Sequence, residues 1–265
     1  MEEKKQSGDP KEMSFWDHLD DLRSTLFRIA IGIFVCMILV FINKWLVFDV
    51  IIFGPASSDF ILYRVMCKLG NLLSMPGFCV EPFNAKIQNI TVGGQFFTHI
   101  STSFWFGLVL SFPWIIYQLW LFVRPALYDN ERIATKRAFW FSSTLFYAGV
   151  LVGYMLVFPM AFKFLDIYNV SGRVEQIITL DSYIGVLVIL VLGMGIVFQM
   201  PMLILLLSHI GIVNKAFLRK YRRYAIIIIL IITAIVTPTP DPYTMLIASA
   251  PLLLLYEFSI YICKQ

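Results

Sequence analysis

Phe122-Val-Arg-Pro-Ala-Leu-Tyr-Asp-Asn-Glu-Arg132 is a short charged stretch set between two long apolar runs. Between Lys86 and Arg124 upstream there is no Asp, Glu, Lys or Arg, and downstream a mostly apolar run extends from Ala138 to Leu165. Such runs read as membrane-crossing helices, because a helix satisfies its backbone polar groups internally while it traverses about 30 Å of hydrocarbon. The stretch between them then becomes a hairpin at the membrane surface, and it places the carboxylate of Glu131 among basic neighbours.

Working outward, composition agrees. Of 265 residues 59% are hydrophobic and 14% charged, with a mean hydropathy of +0.78, more apolar surface than a soluble domain of this length can hide. No alternating strands suggest a barrel. The polar segment Met1 to Lys11 lacks the apolar core of a cleaved signal peptide. The expected fold class is an all-α polytopic membrane protein with six transmembrane helices. It is divided into a tail and interfacial helix (1–24), a first span (25–46), an outer loop (47–95), a second span (96–123), a cytoplasmic loop (124–137) and a third span (138–165). Then follow an outer loop (166–182), a fourth span (183–209), a cytoplasmic loop (210–223), and short fifth (224–236) and sixth (242–262) spans.

An even number of spans puts both termini on one side. Fifteen Lys and Arg fall on that side, from Lys4 to Lys264, against six on the other. Positive residues accumulate on the cytoplasmic face, so both termini and Glu131 are expected there. The net charge of +4 accordingly reads as topology, not nucleic-acid affinity. The fifth span has only about 13 strongly apolar residues, roughly 20 Å of helix, which calls for a thinned bilayer or snorkelling from Tyr221 to Arg223. Thr237-Pro-Thr-Pro-Asp-Pro242 stops one helix and starts the next.

Ahead of the first span, Ser14 to Leu26 reads as a helix, with Ser14 as cap, an apolar stripe of Phe15, Trp16, Leu19, Leu22 and Leu26, and acids at Asp17, Asp20 and Asp21. Asp17 and Asp21 repel at their four-residue spacing, so something positive should compensate. Arg23, three residues after Asp20, and the helix dipole offer a purely structural answer. Asp21 and Glu131 together offer a functional one, since two carboxylates at one membrane face can accept the forked donors of one or two arginines. A cationic peptide is the natural ligand.

The membrane interior is poor in ionisable groups, unlike that of most pumps and transporters. Gln199 in the fourth span suits a helix–helix hydrogen bond, and Glu257 lies toward the cytoplasmic end of the sixth. Gly193 and Gly195 allow close packing. His18, His99 and His209 have no metal-site spacing, and no nucleophile elbow, phosphate loop or metalloprotease motif appears. No cofactor and no enzyme activity are expected. Cys67 and Cys79 share the outer loop and are candidates for a disulfide if that face is oxidising.

Several separate motifs, in order, resemble the TatC family. They are Asp17-His-Leu-Asp-Asp-Leu-Arg23, Phe112-Pro-Trp-Ile-Ile-Tyr-Gln-Leu-Trp-Leu-Phe122, Arg124-Pro-Ala-Leu-Tyr-Asp-Asn-Glu-Arg132, Phe158-Pro-Met-Ala-Phe162 and Thr237-Pro-Thr-Pro-Asp241. The resemblance runs from about Ser14 to Ile262. It implies the multispanning receptor of the twin-arginine translocase, in the cytoplasmic (inner) membrane, which binds signal peptides of folded cargo. Such a receptor works with TatA-type and, in some systems, TatB-type single-span subunits, is driven by the proton-motive force, and self-associates. It implies signal-peptide binding at Asp21 and Glu131, with Leu22, Arg23, Phe122, Pro125 and Tyr128 in the matching motifs. A partner-helix docking role is expected for Gln199 and Asp241. The chain departs from the family pattern where Asp21 and Gln199 stand in place of Glu. Asp21 reaches one methylene less far, which favours Glu131 as the dominant contact, and Gln199 cannot titrate. The rival reading is a small-molecule transporter with Gln199 and Glu257 along a path and helices broken at midplane. A purely structural scaffold is a third.

Overall fold

Helix α1 (Phe15–Ile42) is unbroken, so the acidic segment and the first span form one rod of about 42 Å at 1.5 Å per residue. The computed structural model describes residues 15–57, 60–72, 87–123, 129–169, 171, 173, 177–209, 211–236 and 242–263. After α1 come a π-helical turn (Leu46–Ile52), a 3-10 turn (Gly54–Ala56), α2 (Ile61–Leu72) and the short strand β1 (Ile87–Gln88). Next are α3 (Gly94–Val123), α4 (Asp129–Val152), a π-helical stretch (Gly153–Val157), α5 (Phe158–Ile167) and β2 (Ile178–Thr179). The chain continues through α6 (Leu180–Val197), α7 (Met200–His209), α8 (Lys215–Lys220), α9 (Arg222–Val236) and α10 (Pro242–Ile262).

Five stretches are long and apolar enough to cross a membrane: His18–Ile42, Gly94–Val123, Phe139–Ile167, Leu180–Ser208 and Thr244–Tyr261. The expected fifth span falls on α9, whose 15 residues reach only about 22 Å. The 21 residues of α10, about 31 Å, just match the hydrocarbon thickness.

The helices are built inside out relative to a soluble bundle. Helix α3 buries Thr98, Thr102, Ser103, Gly107, Ser111 and Gln118 while it exposes Phe97, Trp105 and Leu110. Lipid tails are as apolar as Leu, so small and hydroxyl residues go inward where they let backbones approach. A Cβ on Gly107 would stand 2.8 Å from the Met37 backbone N, and one on Gly32 would collide with the Trp114 indole. These contacts seat α1 antiparallel on α3, where the Trp114 indole N–H also donates to the Arg28 carbonyl at 3.0 Å. Helices α4 and α6 meet by the same device. Gly149 faces the Met194 carbonyl, and Gly153 faces the Val191 Cα, where a Cβ would lie 2.9 Å away. Phe146, Val157, Phe158, Leu187, Leu190 and Met194 fill the centre.

Prolines explain the irregularities. Pro113 cannot donate to the Val109 carbonyl, and the Tyr147 hydroxyl reaches that oxygen and the Leu110 carbonyl at 3.2 Å each. The π-helical stretch before Pro159 widens the turn that the proline ring would crowd. The turn at Phe198 and Gln199 separates α6 from α7 just ahead of Pro201.

The described parts of the expected outer loops pack together. Tyrosine hydroxyls donate to carbonyls in or near the irregular segments: Tyr154 to Ile51 at 2.6 Å, Tyr183 to Ile52 at 2.7 Å and Tyr63 to Pro159 at 3.0 Å. Burial, with a smaller push from Asp166, raises the Tyr63 pKa, which keeps the proton in place for its hydrogen bond. Strands β1 and β2 pair in parallel and tie the two outer loops together, a small sheet the sequence did not suggest. Cys67 is disulfide-bonded and Cys36 and Cys263 are free thiols; Cys79 lies outside the described residues.

Candidate functional site

The site begins where α1 starts and α3 ends. The His18 imidazole stacks on Phe122 with ring centroids 4.6 Å apart and planes 25° from parallel. From His18 the contact stripe continues through Leu22, partly buried, and Thr25, 6% exposed. Asp21, three residues after His18, therefore stands at the edge of that stripe, beside the end of α3, and is exposed. Trp16, Leu19 and Leu26 are exposed, so the expected apolar stripe faces outward and only Leu22 of its described side chains turns toward α3.

Glu131 lies in the first turn of α4. Between Phe122 and that turn the chain passes through Arg124 to Tyr128, so Pro125 and Tyr128, named from sequence, lie outside the described residues. Five residues outside the described ones separate the end of α3 from the start of α4, and an acid in a first turn suits the helix dipole.

The structural answer for the acidic helix is not realised at Arg23. Its guanidinium lies 5.8 Å from the centre of the Phe27 ring, and the ion pair made among the described residues is Arg222 with Glu257 at 2.6 Å. Asp20 and Asp21 make no such pair among the described residues. Two residues in or near the seam escaped sequence reasoning. His18 is read from sequence only as a histidine without metal-site spacing, although its place four residues before Leu22 puts its ring on the contact face. Gln118, one turn before Phe122, is 3% exposed and its Oε1 finds no hydrogen-bond partner among the described residues.

Gln199 is bound within the chain. The Ser142 hydroxyl donates to its Oε1 at 2.5 Å, and its Nε2 donates to the Ser142 carbonyl at 3.1 Å, which joins the third and fourth spans. Asp241 lies outside the described residues. The transporter reading expected broken helices, and breaks exist at Gly153–Val157 and at Phe198 and Gln199. Yet Gln199 is engaged by Ser142, Glu257 by Arg222, and the cavity of about 270 Å³ beside the first break is lined by apolar groups such as Trp105, Val150, Met155 and Leu187. Among the described residues no group of His, Cys, Asp or Glu is placed to hold a metal ion.

Comparison with known proteins converges on one family. The family model described as the Sec-independent protein translocase protein TatC matches residues 17–251. A TatC of Blattabacterium sp. subsp. Periplaneta americana is 38% identical over 253 residues, covering 95% of each chain. TatCy of Bacillus subtilis is 32% identical, covering 96% of this chain and 89% of its own. A crystal structure of the twin-arginine translocase receptor TatC in DDM superposes with a TM-score of 0.69 at 29% identity, over 94% of this chain and all of that one. Fold, motifs and relatives agree, and the chain belongs to the TatC family of Sec-independent protein translocases.

Proposed function

We propose that this chain is the receptor of the translocase and reads the consecutive arginines of a signal peptide with Asp21 and Glu131. As a TatC protein it is a multi-pass membrane component of the twin-arginine system, working with other Tat subunits and not as an enzyme. The observation that carries the reading is the His18–Phe122 stack, which sets the exposed Asp21 next to the helix end that leads to Glu131.

Two carboxylates can each take two parallel N–H donors from a guanidinium, and such charge-assisted pairs are short and directional. Lysine supplies a point charge without the fork, so the site discriminates between them. Leu22 and Phe122 are proposed to supply apolar contacts beside the carboxylates, with Arg23, Pro125 and Tyr128 assigned to the site from the matching motifs alone. Burial of the signal's apolar segment along the spans then holds what charge selects. The six-span layout, with α9 as a short fifth span, rests on the apolar runs, and the basic-residue asymmetry then puts both termini on the cytoplasmic side of the inner membrane. TatA-type subunits, with TatB-type ones where present, complete the export machine, powered by the proton-motive force. Asp241 and the short fifth span are offered as docking positions for such subunits, with Gln199 a weaker one now that Ser142 holds it. A Cys67–Cys79 disulfide fits the bonded state of Cys67.

The test is affinity for a fluorescent twin-arginine peptide against the same peptide with Lys-Lys. A hydrogen bond to a charged group contributes about 1.5–3 kcal/mol, so the Lys-Lys peptide should bind at least about tenfold more weakly. Equal affinities would overturn the proposal.

A further inference from the structure

Where α8, α9 and α10 meet, a cavity of about 510 Å³ is lined by Lys215, Arg219, Arg222, Glu257, Ile260 and Tyr261. Lys215 and Arg219 lie four residues apart on one face of α8, and Glu257 and Tyr261 are related in the same way on α10. Glu257 takes only the Nε of Arg222, and Lys215 Nζ sits 5.9 Å from the centre of the Tyr261 ring. Among the described residues three cations thus face one carboxylate, a formal surplus of two positive charges in the lining.

The surroundings show at what depth it lies. Tyr261 in the lining and Tyr221 and Tyr224, which flank Arg222 in sequence, are exposed, amphipathic rings of the kind that gather at headgroup level. Along α9 and α10 the exposed Ile227, Ile228, Ile231, Leu254 and Phe258 offer an apolar surface for acyl chains. Alongside, Asn214 caps α8 by accepting from the Phe217 N–H at 2.7 Å, and the Tyr256 hydroxyl donates to the Leu218 carbonyl at 2.9 Å. The first bond fixes the start of α8 and the second ties α8 to α10, so the basic face of α8 is held beside the cavity.

We propose that this cavity binds the phosphate headgroup of an anionic membrane lipid, with Lys215 and Arg219 as the principal donors and Arg222 shared between the phosphate and Glu257. Arginine forks match phosphate oxygens, and basic pockets between spans at the headgroup level suit such lipids. Glu257 limits the affinity by neutralising one cation, which gives the proposal a second handle.

The experiment measures lipid retention by the purified full chain in detergent, by native mass spectrometry, with phosphatidylglycerol and phosphatidylcholine as probes. The chain should retain phosphatidylglycerol on the order of tenfold more than phosphatidylcholine. Lys215→Gln with Arg219→Gln should remove that preference, the charge-preserving Lys215→Arg with Arg219→Lys should keep it, and Glu257→Gln should strengthen it. Circular dichroism checks that each variant is folded. Unchanged preference in the Gln double variant, or a weaker one in Glu257→Gln, would overturn the site. Displacement of the lipid by millimolar inorganic phosphate would make the ligand a soluble anion and overturn the lipid assignment. A preference that moves instead to a co-purifying acidic protein would overturn it too.

Discussion

At the residue scale, Tyr147 shows how the chain carries a proline in a span. Its hydroxyl takes the place of the N–H that Pro113 lacks, at a depth where water cannot. Tyr147→Phe should lower stability in detergent by about 1 kcal/mol, read from urea or thermal unfolding, with the helices retained. Pro113 was legible as a proline inside an apolar run. Tyr147 as its partner was not, because a contact across 38 positions of sequence leaves no local signal. His18 makes a similar case at the site. The imidazole stacks as a ring, so His18→Phe should preserve peptide affinity, while His18→Ala should weaken it several-fold, the ring contact contributing about 0.5–1.5 kcal/mol. Both values come from one peptide titration. Asp21 and Glu131 are assigned to one face by the span count alone, an assignment that the crosslinking experiment below tests.

At the scale of elements, the apolar runs announced where helices lie, and α3 begins within two residues of the expected start. They did not announce how helices touch. Gly149 and Gly153 stand four apart on the face that meets α6, a spacing legible in the sequence, and Gly195, expected to allow close packing, does so opposite Phe146, where a Cβ would lie 2.8 Å from the ring. With Val191 Cα so near, Gly153→Leu should force α4 and α6 apart at a cost of about 1–3 kcal/mol or more, seen as a lower melting temperature and exposed Cys labelling. Gly185, with nothing within 4 Å of its would-be Cβ, should accept Ala without loss. The outer segments were harder to read. Short apolar stretches such as Leu46–Ile52 carry no clear period, and tertiary hydrogen bonds from Tyr154 and Tyr183 decide their shape.

At the scale of the molecule, the described segments that follow α1 and α5 lie at the opposite end of the α1–α3 pair from the exposed Asp20 and Asp21. Tyr63 and the β1–β2 pair hold the described parts of these segments together. Orientation is checked by cysteine labelling. In a background with the free thiols removed, Val92→Cys, fully exposed in the outer loop, should react with an impermeant maleimide from outside intact cells, and Arg219→Cys only after the membrane is opened. The reverse pattern would invert the topology. The most direct trial of the site itself is photocrosslinking of a twin-arginine signal peptide to membranes bearing the chain with Asp21→Ala or Glu131→Ala. Loss of the crosslink in each variant, complete for Glu131→Ala and with the protein still inserted, is the predicted result; an undiminished crosslink in both would contradict the account.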